Sequence, residues 1–336
     1  MKEVTHINGA NARSGGLSKF LQFTKANKNI FIQYSSLILV FSFFMIMSNG
    51  DLLSVVNLQT IIRQLAVLFI ITVGLMFVFS HGNMDISVGG VIALTSMIVT
   101  FTLNAGASLF VATLVAIVVS VGCYLLNIFI ANQFKLMAVI ASLAIMFSTR
   151  GVVTYMVSTS NESIKVEDIS KLALFSSNLT FTITSLIVIA IVGIVLFNYS
   201  KIGKQNKAVG DNPLAAMQSG VDVKKSKVIS YLIAGIMIGF ASMFSLARSY
   251  TVSENSGMGL EMDVIVALVL GGMALSGGSK SKISSAIVGS ITLVLLNNGL
   301  IMIGVRPEIV SLVKGIIFLI VVFFILRRPR TEVIPR

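Results

Sequence analysis

Few residues in this chain have side chains suited to covalent chemistry, and they are scattered. His6 and His81 are the only histidines and Cys123 the only cysteine among 336 residues. Two isolated imidazoles and one thiol do not make the three or four ligands of a zinc site. A single cysteine cannot close an internal disulfide, and Cys123 reads as a small apolar packing residue. No Ser/His/Asp set is suggested by spacing. The stretch GMALSGGSK at 272–280 misses the GxxxxGK[ST] pattern of a phosphate-cradling loop. No catalytic residue, cofactor or metal is therefore expected, and ATP hydrolysis is expected to lie outside this chain.

The polar residues that interrupt apolar stretches are more informative. HGNMDISVGG at 81–90 and GGMALSGGSKSK at 271–282 are glycine-rich turns in equivalent positions between apolar runs. Asp85, Ser87 and Gly89 belong to the first, and Gly271, Gly272, Gly277 and Gly278 to the second. Non-helical backbone at membrane depth survives only where protein or a water-filled cavity surrounds it. The two segments read either as ordinary tight turns or as an inner gate, and their matching placement suggests parallel repeats. Asp85 reads as a helix cap or as a functional acid. Arg150 falls inside an apolar run, where it snorkels, pairs with an acid or faces a polar path. Asn127, Asn297 and Asn298 either contact a solute or bond across helices. The segment GIMIG at 235–239 reads as a small-residue packing face.

These residues sit in a chain built for lipid. It is 55% hydrophobic and only 11% charged, against roughly 25% charged for a soluble domain. A helix needs about 20 apolar residues to cross the hydrocarbon core. Ten runs qualify or nearly do: 30–48, 60–80, 86–104, 107–131, 136–158, 180–199, 227–247, 262–278, 284–303 and 309–326. The expected fold is an all-α polytopic bundle of about ten membrane helices. Residues 1–29 form an N-terminal segment, 30–326 the transmembrane domain and 327–336 a tail.

The formal net charge of +12 does not point to nucleic acid, because the basic residues follow a topological rule. Lys and Arg concentrate at both termini, in 200–226 and at Lys280 and Lys282. The acids Asp51, Glu162, Glu167, Asp168, Glu254, Glu261, Asp263 and Glu308 gather on the other side. Positive charge marks the cytoplasmic face, so both termini are expected inside a multi-pass cell-membrane protein. Residues 159–179 read as an external loop. In the basic loop 200–226, NPLAAMQSG is patterned. Asn212-Pro213 starts a short helix and Gly220 ends it, forming a knob on which a partner protein docks.

Several stretches together resemble the membrane permease subunit of bacterial ABC importers, in the subgroup of ribose, xylose, galactose and autoinducer-2 systems. MDISVGG at 84–90 is similar to that family's IDLSVG, and AVGDNPLAAMQSGV at 208–221 to its AIGGNxxAAxxSGI. GMGLEMDVIVALVLGGMALSGG at 257–278 is similar to GxGxELDxIAAxxLGGxSLxGG. NNGLIMIGV at 297–305 and the pair Lys314-Gly315 also match, and the likeness runs from about 55 to 326. The chain departs from the family where KLMAVIASLAIMFSTRG lacks a proline, and where SKSKISSAIVGS replaces a run of small residues.

The resemblance implies a permease-type bundle that moves a simple sugar or similar polar solute and is not itself an enzyme. It implies ABC ATPase subunits, an extracytoplasmic solute-binding protein and a second permease copy, identical or related, as partners. By resemblance, Asn212, Ala215, Ala216 and Gly220 belong to the coupling helix that docks on the ATPase, with Leu214 where a Glu is usual. A membrane enzyme or assembly scaffold is one alternative, which would want a convergent reactive set or long interaction domains; an ion-coupled secondary transporter is the stronger one. It would want acids near the midplane, whereas Asp85 and Asp263 read as lying near span ends.

Overall fold

The computed structural model describes residues 28–160 and 163–326. The tail 327–336 and all but the last two residues of the segment 1–29 lie outside the described residues. Thirteen α-helices are formed among the described residues: α1 Lys28–Met47, α2 Val55–Phe79, α3 Val88–Asn104, α4 Leu109–Gln133, α5 Ala138–Thr159, α6 Ala173–Ser176, α7 Leu179–Ile194, α8 Lys201–Asp211, α9 Pro213–Gln218, α10 Val223–Ser249, α11 Leu260–Leu270, α12 Ile283–Met302 and α13 Pro307–Leu326. Polar residues start them in the expected way. The side chains of Ser54, Ser108, Asn178 and Asp222 accept from the backbone amides of Asn57, Val111, Phe181 and Lys225, satisfying donors that the first helical turn leaves free.

Six helices are long and apolar enough to cross a membrane among the described residues: α2, α4, α5, α7 with its extension to Tyr199, α10 and α12. Burial sorts them. The side chains of α2 are buried without a break from Ala66 to Phe79, as expected of a helix that is apolar all round. It packs against α10 and α12 to make the core. In contrast α4, α5 and α7 expose Phe110, Phe129, Phe147 and Ile187 on their outer faces, where lipid tails are the matching solvent. The GIMIG segment seats α10 on α4. A Cβ at Gly239 would sit 2.6 Å from the Ile117 Cα, so the helices touch through backbone there.

The apolar run 262–278 does not form one helix. Only Leu260–Leu270 is helical, and eleven residues rise about 16 Å, half of a roughly 30 Å core. A Cβ at Gly89, in the first turn of α3, would meet Gly257 and Glu261, at the start of α11. A Cβ at Gly271 would meet the Ser285 carbonyl, in the first turn of α12. Thus α11 is a half-length helix with non-helical chain at both ends.

The segment expected to be an external loop carries structure. Ile164–Lys165 (β1) pairs antiparallel with Thr251–Val252 (β2), in the register Ile164 to Val252. Lys171 Nζ donates to the Leu103 carbonyl at 2.7 Å, and Phe175 packs edge-on to Phe181, Phe240 and Phe244. Residues 161–162 lie outside the described residues.

Candidate functional site: a basic-loop joint and two ion pairs

In the basic loop 200–226, Asn212 accepts from the amides of Leu214 at 3.0 Å and Ala215 at 3.1 Å, with Pro213 in the first turn. Gly220 follows α9 with φ +83°, a left-handed conformation that glycine adopts without steric cost. Asn212, Ala215 and Gly220 are exposed, whereas Ala216 is buried. The apolar side chains that α9 offers outward are Leu214 and Met217, 66% and 58% exposed. The sequence reading puts Ala215 and the buried Ala216 in the docking set, notes Leu214 only as standing where a Glu is usual, and does not include Met217.

It also missed α8. Ser200 caps this helix by accepting from the Ile202 amide, and Gly203, Asn206 and Val209 line its buried side. Asn206 Nδ2 donates to Ser230 Oγ at 2.8 Å and to the Phe77 carbonyl at 3.2 Å. Ser226 Oγ donates to Asn206 Oδ1 at 3.0 Å and lies 3.2 Å from His81 Nε2. This buried network fastens α8 to the end of α2 and the start of α10. Lys207 Nζ sits 4.7 Å from the Phe197 ring centroid. Burial, and then the like charge of Lys282, pull Lys207 below the ordinary lysine range.

The C-terminal end of α8 meets both glycine turns. Gly278 N donates to the Ser80 carbonyl at 2.9 Å. Asp211 Oδ1 accepts from Ser279 N at 2.9 Å and Ser279 Oγ at 3.1 Å. A Cβ at Gly210 would strike the Ser80 carbonyl and Gly278. Three segments distant in sequence therefore close into one joint, and α9 continues directly from it. Gly277 and Gly278 lie in this joint; Gly271 and Gly272 lie at the other end of the same segment, against α12. There Ser36 Oγ donates to the Leu270 carbonyl at 3.3 Å and Gln33 Nε2 to the Ser284 carbonyl at 2.6 Å.

Asp85 lies just beyond the joint, 1% exposed. Its Oδ1 accepts from Ser87 N at 2.9 Å and Ser87 Oγ at 2.7 Å, and its Oδ2 from Asn127 Nδ2 at 2.7 Å. The residue at the N-cap of α3 is Ser87. Asp85 holds that residue's amide from two positions upstream and also ties α3 to α4. Ile86 N donates to Ser142 Oγ at 3.3 Å, adding α5.

Two acids expected among the outer charges belong to α11. Glu261 Oε2 lies 3.8 Å from Arg150 Nη2, and Asp263 Oδ1 lies 2.6 Å from Lys314 Nζ. Arg150 is twelve residues into α5, a rise of about 18 Å. The three asparagines are not brought together. Asn127 bonds Asp85, Asn297 lines a cavity between α12 and α13, and Asn298 is buried.

Comparison with known proteins adds the following. The family described as branched-chain amino acid transport system / permease component matches residues 57–322. The chain is 30% identical over 275 residues to the ribose import permease protein of Escherichia coli (strain K12), covering 79% of this chain and 84% of that protein. It is 29% identical over 278 residues to the ribose import permease protein of Bacillus subtilis (strain 168), covering 82% and 86%. It is 27% identical over 276 residues to the L-arabinose transport system permease protein of Escherichia coli (strain K12), covering 80% and 82%. No solved structure matches.

Proposed function

The chain belongs to the branched-chain amino acid transport system / permease component family, and from that premise we propose that it is the membrane subunit of an ATP-driven importer of a pentose or similar simple sugar. The ribose and arabinose permeases among its relatives support the solute class. The chain carries no ATP site of its own, so separate ATPase subunits drive it and an extracytoplasmic binding protein delivers the solute. Two copies, or this chain and a related permease, form the path. Ten crossings, with both termini in the cytoplasm, fit the charge pattern when the half-helix α11 and the non-helical chain after it are counted together as one.

The observation that carries this reading is the joint formed by Ser80, Gly278 and Asp211. ATPase subunits pull on α9 through Leu214 and Met217. The strain passes through Asp211 and Gly210 into both glycine turns, which bound α2, α3 and the half-helix α11. Asp85, Ser87 and Gly89 shift with the first turn, and Gly271, Gly272, Gly277 and Gly278 with the second. The protein does no covalent chemistry. It supplies two arrangements, open to opposite sides, whose relative stability the nucleotide state of the partner sets. Glu261 and Asp263 each face a cation in the same chain, which leaves them poorly suited to carry a coupling ion.

The test is uptake into proteoliposomes holding this chain with its ATPase and binding protein. Labelled D-ribose, L-arabinose and L-leucine are offered with and without ATP inside the nucleotide-accessible compartment. ATP-dependent accumulation of a pentose is expected. Uptake of leucine alone overturns the solute class, and uptake that ignores ATP overturns the importer.

A further inference from the structure

A cavity of about 110 Å³ lies where the end of α10 meets α6 and the first half of α2. Small-molecule sites begin at roughly 300 Å³, so this one receives a single chemical group and not a whole solute. Arg63, Arg248 and Ser176 line it, and no acidic residue does. Two other cations set among the helices each face an acid: Arg150 faces Glu261 and Lys314 faces Asp263. Neither Arg63 nor Arg248 has a hydrogen-bond or ion-pair partner among the described residues. The negative end of the α10 dipole suits Arg248, in the last turn of that helix. It does nothing for Arg63, which brings a second positive charge to the same small space. Two like charges there repel each other until an anion lies between them. Both arginines reach the surface, so an anion can enter from outside the bundle.

We propose that this cavity is a site for the phosphate of an anionic membrane lipid. The proposal goes beyond the importer reading and does not depend on it. The planar fork of an arginine matches two phosphate oxygens at once, and the Ser176 hydroxyl adds a further donor. The position suits a headgroup. The cavity sits at the far end of the 27-residue α10 from the basic loop, a rise of about 40 Å. The surroundings suit the acyl chains. Phe175, which lines the cavity, packs on Phe181 in the first turn of α7, with ring centroids 5.1 Å apart. From there α7 exposes Ile183, Ile187 and Ile191 along its length, a surface on which a lipid tail can lie. A zwitterionic headgroup would set its own cation against the two arginines, so the lipid is one of net negative charge.

The experiment titrates the full chain, purified in detergent, with fluorescent phosphatidylglycerol, and competes it with unlabelled phosphatidylglycerol, phosphatidylcholine or inorganic phosphate. Arg63→Gln and Arg248→Gln should each raise the Kd for phosphatidylglycerol about tenfold, the loss of one charge-assisted contact. Arg306→Gln removes the same charge from an exposed arginine beside α13 and should leave the Kd unchanged. Should a glutamine variant fold poorly, Arg63→Lys and Arg248→Lys keep the charge without the fork and should still weaken binding. Phosphatidylcholine competing as well as phosphatidylglycerol, or an equal loss from Arg306→Gln, would show a general coat of lipid and overturn the site. Competition by inorganic phosphate with none by unlabelled lipid makes it a free-ion site and overturns the lipid. If phosphatidylglycerol does not bind, the proposal falls; loss of binding-protein capture in the same two glutamine variants would then assign the arginines to an acidic protein surface.

Discussion

Lys314 Nζ lies 2.6 Å from Asp263 Oδ1, joining α13 to the first turn of the half-helix α11. The two residues are 51 positions apart, and each side chain is 18% exposed. A pair this close and this shielded is costly to break from one side, because the survivor keeps its charge without its partner. Asp263→Asn or Lys314→Met alone should destabilise the protein by about 2–4 kcal/mol, toward the lower end of what breaking a buried pair costs. The double variant should recover most of the loss. Thermal unfolding in detergent reads the difference, and a double variant no better than the singles would show that the pair does not act as a unit.

Asp211 is the link between α8 and the second glycine turn. Its two bonds to Ser279 involve a charged acceptor, each worth about 1.5–3 kcal/mol where shielded and less at an exposed carboxylate such as this one. Asp211→Ala should leave the protein in the membrane and the ATPase bound, while solute moved per ATP hydrolysed falls. An unchanged ratio would mean that motion does not pass through this contact.

Asp85 should behave differently, as a structural anchor. Asp85→Ala strands Asn127 and two donors on Ser87, all buried. Unsatisfied buried groups cost about 1–3 kcal/mol each, so the yield of folded protein should drop sharply. Asp85→Asn keeps an acceptor for Ser87 and should retain much of the yield. Equal yields for both variants would count against the bonding seen here.

The parts legible in the sequence were those governed by local rules. The apolar runs marked the helices, and Asn212, Pro213 and Gly220 marked α9 by ordinary capping chemistry. Helix α8 was hidden because its three lysines, Lys201, Lys204 and Lys207, read as a topological signal. Its buried side, Gly203, Asn206 and Val209, is too weakly apolar to register as a span. The half-helix was hidden for the opposite reason. A hydropathy window sees 262–278 as one apolar run, and the break at Gly271 and Gly272 is visible only as glycine content. Glu261 and Asp263 lie in the first turn of α11, at the end of the expected run where they were placed. No local pattern announces their partners, since Arg150 and Lys314 come from other helices. The joint of Ser80, Gly278 and Asp211 was half visible. Both glycine turns drew notice for their equivalent placement, but nothing local says that they touch.

The central claim is that a separate ATPase moves this chain by holding α9. Cysteine cross-linking tests it most directly, in membranes carrying the chain with its ATPase and with Cys123 replaced by serine. Leu214→Cys and Met217→Cys, both on the exposed side of α9, should each give an adduct whose mass is that of this chain plus one ATPase subunit. Ala216→Cys, turned inward, should give little. Adducts from Leu214→Cys and Met217→Cys with no counterpart from Ala216→Cys are the predicted result; no adduct from either exposed position, with both proteins present in the membrane, would contradict the account.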